Sequence, residues 1–413
     1  MAETGSRRAA VAFILVTVLL DVMALGLVIP VLPKLVESMA GSTQQGALIF
    51  GVFGTAWALM QFIFSPVMGA LSDAYGRRRV LLLSGLGLGL DYILMALAPN
   101  LAWLFLGRLL SGITAATFST AGAYIADVTP PAERAGKFGL IGAAFGLGFV
   151  LGPAIGGVLG STDPRLPFWV AAALSLLSTA YGFFVLPESL PPEKRSAFAW
   201  TRANPLGSLE LLRADKQLFG LSAAMFLFNL AHAVFPAVFV LHAGFKFGWD
   251  ARAVGLALAS FGICAAIVQG ALVKPAVARF GERGPLLFGM ACGILGLLIL
   301  AFAPSEFWFW LGYPVMALWG FIGPAAQAIM TRRVAPDRQG QLQGAGASVM
   351  SIAGLLGPSL FTGSFALGID PAHGAMLPGA PYLVASLLLA AALALAAYVT
   401  RPGVATATER PPA

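Results

Sequence analysis

Pro99-Asn100-Leu101-Ala102-Trp103-Leu104-Phe105-Leu106-Gly107 decides how this chain is read. Its Pro99, Trp103 and Gly107 recur as Pro304, Trp308 and Gly312, a constant offset of 205 positions. Working outward, Gly152-Pro153 recurs as Gly357-Pro358, and Gly76 recurs as Gly281. Self-similarity at one fixed spacing marks a duplicated architecture, and 205 is close to half of 413 residues. The chain is therefore expected to hold two related halves, 1–187 and 217–413, joined by a linker at 188–216.

Each half is too apolar for water. The chain is 58% hydrophobic and 10% charged, with a mean hydropathy of +0.85, whereas soluble domains carry about 25% charged residues. Apolar runs of about 20 residues, the length that crosses a bilayer, begin near 9, 44, 80, 101, 136 and 166. Six more begin near 217, 251, 284, 306, 340 and 378. Each run is read as a helix, because an isolated segment in lipid must satisfy its own backbone groups. The fold class expected is an all-α membrane protein with twelve transmembrane helices in two pseudo-symmetric six-helix bundles. Parallel repeats of this kind build membrane transporters that hold their substrate between the halves.

A net charge of +7 and a pI near 9.7 would suit nucleic acid, but the placement of the charges excludes that reading. With both termini cytoplasmic, twenty Lys and Arg residues fall inside and four (Lys34, Arg165, Lys246 and Arg252) fall outside, with Arg108 in a span. That is the positive-inside bias of a membrane chain. Arg7-Arg8 precedes an apolar run that continues through Asp21 to Pro33 without a cleavage site, so it opens the first span and is not a leader. The two cysteines, Cys264 and Cys292, lie in separate spans without metal-ligand spacing, and no metal is expected. The tail after Arg401 is expected to be disordered.

Three stretches carry mechanism. The first is Gly69-Ala70-Leu71-Ser72-Asp73-Ala74-Tyr75-Gly76-Arg77-Arg78-Arg79, between the second and third spans. Gly69 and Gly76 are expected to allow close helix approach and a tight turn. Asp73 is placed to cap a helix end and to pair with an arginine, a latch that two conformations can make and break; the plainer alternative is that Arg77 and Arg78 merely fix topology. Its copy in the second half has Ala278 in place of Asp73. The second stretch is the fifth span, where Gly148, Gly152 and Gly156 fall on one face, with Pro153 and Gly157 beside them. Small residues at that spacing let a neighbouring helix come close, and Pro153 bends its own helix.

The third is a set of intramembrane charges confined to the first half. Asp21, Asp91 and Arg108 each cost about 2.5–3.5 kcal/mol at mid-membrane, and at the offset of 205 they face Phe226, Gly296 and Tyr313. Asp91 and Arg108 lie at like depth on antiparallel neighbours, so a buried ion pair is expected, serving either transport or structure. Asp21 lies roughly 16 Å from the outer end of its helix and has no basic residue at that depth in its own span. It is the expected proton-coupling residue. His232, in the seventh span, is either a second proton site, a substrate contact or a packing histidine. Gln61, Asn229 and Gln327 would supply hydrogen bonds in an apolar substrate cavity. No clustered nucleophile and base suggests an enzyme.

The loop at 69–79 resembles the signature loop of the major facilitator superfamily, and Gly148-Phe149-Val150-Leu151-Gly152-Pro153-Ala154-Ile155-Gly156-Gly157 resembles its antiporter motif. From Leu20-Asp21 through Ala58-Leu59-Met60-Gln61, Leu90-Asp91-Tyr92, Gly107-Arg108, Leu186-Pro187-Glu188-Ser189 and Gln339-Gly340-Gln341-Leu342-Gln343-Gly344, nearly the whole chain is similar to the tetracycline/proton antiporters of that superfamily. The resemblance implies proton-driven export of a small amphiphilic, tetracycline-like drug by alternating access, and hence antibiotic resistance. It implies a bacterial inner-membrane location, no cofactor beyond the proton gradient, and action as a monomer. It also implies transport roles for Asp21, Gln61, Asp91 and Arg108. The family's histidine in the eighth span and aspartate in the ninth fall on Ala265 and Cys292. That departure leaves open a different amphiphile, or coupling through Asp21 alone. A same-fold exporter of an endogenous metabolite or lipid, and a membrane ligand sensor, are the other readings.

Overall fold

The structure is a computed structural model, and it describes residues 2–114, 117–130, 133–196, 198, 211–212, 215–335, 338–373 and 376–401. Most of the expected linker and the tail from 402 lie outside the described residues, as do the side chains of Arg7, Arg8 and Arg134.

The helices begin and end where the local chemistry directs. α1 (Ala2–Val28) and α2 (Leu32–Ala40) form the first span, and α3 (Thr43–Tyr75) starts behind Ser42, whose Oγ accepts from Gln45 N at 3.2 Å. α4 (Arg77–Leu97) follows the turn at Gly76. α5 (Leu101–Thr114) starts under Asn100, whose Oδ1 accepts from Ala102 N and Trp103 N at 3.1 and 3.3 Å. α6 (Thr117–Val128), α7 (Arg134–Thr162) and α8 (Leu166–Val185) complete the first half. In the second half, Asp215 caps α9 (Lys216–His232) by accepting from Gln217 N and Leu218 N, both at 2.7 Å. α10 (Val234–Phe247) and α11 (Ala251–Ile267) come next, and a π-turn at Val268–Leu272 leads into α12 (Val273–Phe280). α13 (Arg283–Phe302), α14 (Glu306–Ala317), α15 (Ile322–Thr331), α16 (Gln339–Gly368) and α17 (Ala380–Val399) end the chain's helices.

Among the described residues, eleven helical stretches are long and apolar enough to cross a membrane. The expected fourth span is the shorter α5 followed by α6, with Ala115 and Ala116 outside the described residues. Large apolar side chains such as Leu177, Phe184, Phe307 and Leu387 stand on the outside, as a lipid-facing surface requires. This is a multi-pass membrane protein.

The chain packs as two compact units. Unit 1 comprises Met1–Pro205, Pro236–Ile263 and Pro358–Met376; unit 2 comprises Leu206–Phe235, Cys264–Gly357 and Leu377–Ala413. Two pieces of second-half sequence thus pack within unit 1, and small residues explain why. A Cβ on Gly157 would lie 2.9 Å from Gly255 Cα, so α7 and α11 meet backbone to backbone. A Cβ on Gly54 would lie 2.8 Å from Pro358, and Thr55 and Ser359 share a hydroxyl hydrogen bond of 2.8 Å, which joins α3 to the later part of α16. Lys34 of α2 donates to the Trp249 carbonyl. In unit 2, α17 packs on α9 and α13, and α13 packs on α14 and α15.

Candidate functional site: an intramembrane carboxylate and a helix-end charge network

α1 lies along α7 and α8, and the glycine face of α7 sets its distance. A Cβ on Gly148 would come within 2.9 Å of Leu19 O, and one on Gly152 within 2.7 Å of Met23 O. One on Gly156 would collide with the Leu27 backbone. The helix brought close by these glycines is the one that carries Asp21, and Pro153 presses on Gly26 of that same helix. Asp21 itself is half-buried, with Oδ2 shielded from solvent.

The expected contact ion pair between Asp91 and Arg108 is not formed. No N–O approach within 4.0 Å joins them among the described residues. Both are buried, at 1% and 9% exposure, and each is the strongest charge acting on the other, although their closest contacts are to different groups. A Cβ on Gly107 would be 3.0 Å from Asp91 Oδ1, so this carboxylate lies against the α5 backbone. The Arg108 guanidinium instead sits 5.2 Å over the Trp57 ring of α3, a cation–π placement that suits a weakly hydrated cation. Reading two antiparallel helices alone left out the third helix, which supplies the ring.

At the loop, Asp73 Oδ1 meets Arg77 Nη1 at 2.5 Å, one turn apart. Arg77 also reaches Asp127 Oδ2 through Nε at 3.2 Å, and Ser72 Oγ through Nη1 at 2.8 Å. Arg78 Nη2 donates to the Phe183 carbonyl at 2.5 Å, at the end of α8. Sequence reasoning gave no role to Glu188, yet it organises this end of the unit. Its Oε1 accepts from Arg77 N at 2.9 Å and from Ser189 N and Leu190 N at 3.0 and 3.1 Å. A carboxylate therefore caps the N-terminus of α4, where the helix dipole favours negative charge. Arg195 Nη2 stands 3.8 Å from Glu188 Oε2, and Ser196 N donates to Asp73 O at 3.2 Å, so the start of the linker is tied to the loop. Gly76 is required twice over: its φ is +103°, and a Cβ there would collide with the Glu188 carboxylate. Gly69 does not fulfil the close approach expected of it, because a Cβ there would meet nothing within 4 Å. The available signal for Glu188 was a carboxylate directly after an apolar span, in Leu186-Pro187-Glu188-Ser189.

In unit 2, His232 lies 4.7 Å from the Trp319 ring and 6.0 Å from the Phe228 ring, centroid to centroid. Asn229 spends its Nδ2 on the Met225 carbonyl of its own helix at 2.7 Å, which leaves Oδ1 as what it offers a ligand. Gln327 of α15 keeps a shielded Nε2 with no hydrogen-bond partner among the described residues. Gln61 is half-buried on α3 in unit 1. Cys264 and Cys292 are free thiols.

A duplicated bundle of membrane-spanning helices, with a glycine-packed fifth span and an ion-paired loop between its second and third, defines a secondary-transporter class. The chain belongs to the Major Facilitator Superfamily, whose family model matches residues 14–358 and 224–411. It is similar to the "Tetracycline resistance protein, class C" of Escherichia coli, 42% identical over 91% of this chain and 95% of that protein. It is also similar to the class G protein of Vibrio anguillarum, at 39% identity over 86% of this chain and 90% of the relative. The crystal structure of the human organic anion transporter MFSD10 (TETRAN) superposes with a TM-score of 0.70 at 25% identity, over 94% of this chain and 99% of that one.

Proposed function

We propose that the protein exports a small amphiphilic drug of the tetracycline type in exchange for protons, by alternating access, and so confers antibiotic resistance. Likeness to tetracycline resistance proteins over nine-tenths of the chain supports the drug-exporter reading. The charge asymmetry of the sequence supports an inner-membrane chain with both termini cytoplasmic. The chain works as a monomer, without a cofactor and without covalent chemistry.

The observation that carries the coupling half of this reading is the position of Asp21. It is an intramembrane carboxylate on the helix against which α7 lays its glycine face. Protonation of Asp21 from the outside would accompany drug release, and loss of that proton to the cytoplasm would restore drug binding. A membrane potential contributes about 2.3 kcal/mol per charge per 100 mV to such a cycle. The Asp73–Arg77–Asp127 latch, capped by Glu188, would hold one state of the loop end. His232 serves as a second proton site or an aromatic-flanked drug contact, and Gln61, Asn229 and Gln327 as drug contacts.

The test is a drug-susceptibility panel in an efflux-deficient bacterial host, comparing the wild-type chain with Asp21→Asn. Tetracycline resistance from the wild type, lost in the variant, is the expected result. Resistance to other amphiphiles but to no tetracycline would discard the substrate and keep the exporter.

A further inference from the structure

Beside Asp21, unit 1 holds a small, partly open cavity of about 10 Å³. It is lined on its polar side by Asp21 and Thr17 of α1 and by Ser178 and Thr179 of α8, and on its apolar side by Phe13 and Leu186 among others. A single water needs about 10–15 Å³ of such space and two to four polar partners. The volume fits one water, and four polar side chains face it.

The walls are built for this. Ser178 Oγ donates to Thr17 Oγ1 at 3.4 Å, a long bond between two buried hydroxyls on adjacent helices. Thr179 Oγ1 turns back to the Ser175 carbonyl at 2.8 Å. Opposite it, a Cβ on Gly85 of α4 would collide with the Thr179 hydroxyl, so the glycine keeps room for that oxygen. Two more buried hydroxyls stand on these helices, Ser84 of α4 and Ser175 of α8, each 1% exposed and neither with a hydrogen-bond partner among the described residues. A run of hydroxyls between apolar helices has no packing advantage over alanine or valine, since each buried hydroxyl must find a partner.

The direction of the seam is informative. Thr17 lies one turn from Asp21 towards the chain's start, and Leu186 immediately follows α8. Next come Pro187, whose carbonyl accepts from Tyr124 Oη at 2.9 Å, and then Glu188 of the latch. The cavity therefore lies on the side of Asp21 that faces the end of unit 1 carrying the loop at 69–79.

We propose that this cavity is a single-water site through which the proton held by Asp21 leaves towards the loop end of unit 1, along the seam of α1, α4 and α8. The inference rests on the reading of Asp21 as the coupling residue and adds the route. In the step, the Asp21 carboxyl gives its proton to the water, and the water passes one of its own protons along the Thr17 and Ser178 hydroxyls. Asp21 is left as carboxylate, the site water is restored, and the Ser178 hydroxyl hands the excess proton to a solvent water at the mouth of the cavity, which carries it away as hydronium. Hydroxyls and water each accept and donate, which a relay requires.

The test uses the full chain in everted membrane vesicles and two readouts. One is uptake of tetracycline driven by a pH gradient; the other is tetracycline counterflow, an exchange that needs no net proton movement. Thr17→Val combined with Ser178→Ala should slow gradient-driven uptake about fivefold, the rate equivalent of one lost hydrogen bond. Counterflow should stay at the wild-type rate, which also shows that the variant is folded. Thr17→Ser, which keeps the hydroxyl, should transport as the wild type does. An equal fall in both readouts, or no fall in either, overturns the route. A parallel Asp21→Asn sample separates the two levels. If it loses gradient-driven uptake while the hydroxyl variants do not, only the route fails. If it keeps that uptake, the coupling role fails and the route with it.

Discussion

The loop at 69–79 and its copy 205 residues on end their helices with the same device, then use opposite charges. Gly76 and Gly281 both take positive φ, +103° and +65°, and both begin the turn into the next helix. Past the turn, Arg77 pairs with Asp127 in the first copy, while at the same two repeat positions Glu282 pairs with Arg332 in the second. The ion pair is kept and its sign is reversed. Their surroundings differ as well. Arg77 is 12% exposed and also engages Asp73 and Ser72, with Glu188 capping the helix behind it. Arg332 is 69% exposed, Ala278 stands where Asp73 would be, and a Cβ on Gly281 would meet nothing within 4 Å. Duplication thus preserved a backbone turn and a charge pair, while only the first copy grew into a network. An exposed pair contributes about 0–1 kcal/mol, whereas hydrogen bonds to charged groups in a shared, shielded network are worth about 1.5–3 kcal/mol each. The first copy is therefore the more strongly held of the two, as the proposed gating role would need.

The largest expected effect comes from breaking the turn in each copy. Gly76→Ala and Gly281→Ala both force a side chain into backbone space reserved for glycine, at about 1–3 kcal/mol, so both should lower the melting temperature in detergent. Only the first also expels Glu188, and drug uptake in vesicles should fall roughly tenfold there, against no more than about twofold at Gly281. Equal losses of uptake would erase the distinction between the copies.

Reversing the pairs comes next. Glu282→Arg with Arg332→Glu should recover the uptake that Glu282→Arg alone reduces, because among the described residues neither member makes a second salt bridge. Arg77→Glu with Asp127→Arg should not recover, since the new carboxylate would face Asp73 and Glu188. The residual deficit should be about 1.5–3 kcal/mol in detergent stability. Recovery of the first-copy swap would show the network to be decorative. A smaller effect is expected of Glu188→Gln, which keeps an acceptor for Arg77 N but gives up the charge that favours a helix N-terminus and Arg195. About 1 kcal/mol of stability should be lost, read by the same melting experiment. Arg332→Ala should be the mildest, under about 1 kcal/mol, and a larger shift would mean the second pair is more than a solvated contact.

Local features were legible in the residues. The repeat, the apolar runs and the glycine at each turn follow from composition and spacing, because a turn in positive φ and a bilayer span impose rules that act within a few residues. That Asp73 would meet an arginine was legible for the same reason, since the basic run follows within about one turn; that the partner is Arg77 came from the packing. What could not be read came from afar. Glu188 reaches the Arg77 amide across 111 positions and Asp127 reaches its side chain across 50, and no periodicity encodes such a meeting. For Asp91 and Arg108 the expected N–O contact is missing among the described residues, because a third helix, with Trp57, lies under the guanidinium, although each charge still acts on the other. Gly69 shows the converse, a glycine at motif spacing whose face meets open space. The glycine face of α7 was visible, but only packing revealed that its partner is the helix of Asp21.

The central claim is that a proton on Asp21 drives the drug. Its most direct measurement is uptake of radiolabelled tetracycline into everted vesicles under an imposed pH gradient, with proton efflux followed in the same sample, for wild type and Asp21→Asn. The wild type should accumulate drug as protons leave, and the variant should do neither while still exchanging drug across the membrane. Gradient-driven accumulation by the variant at the wild-type rate would contradict the account.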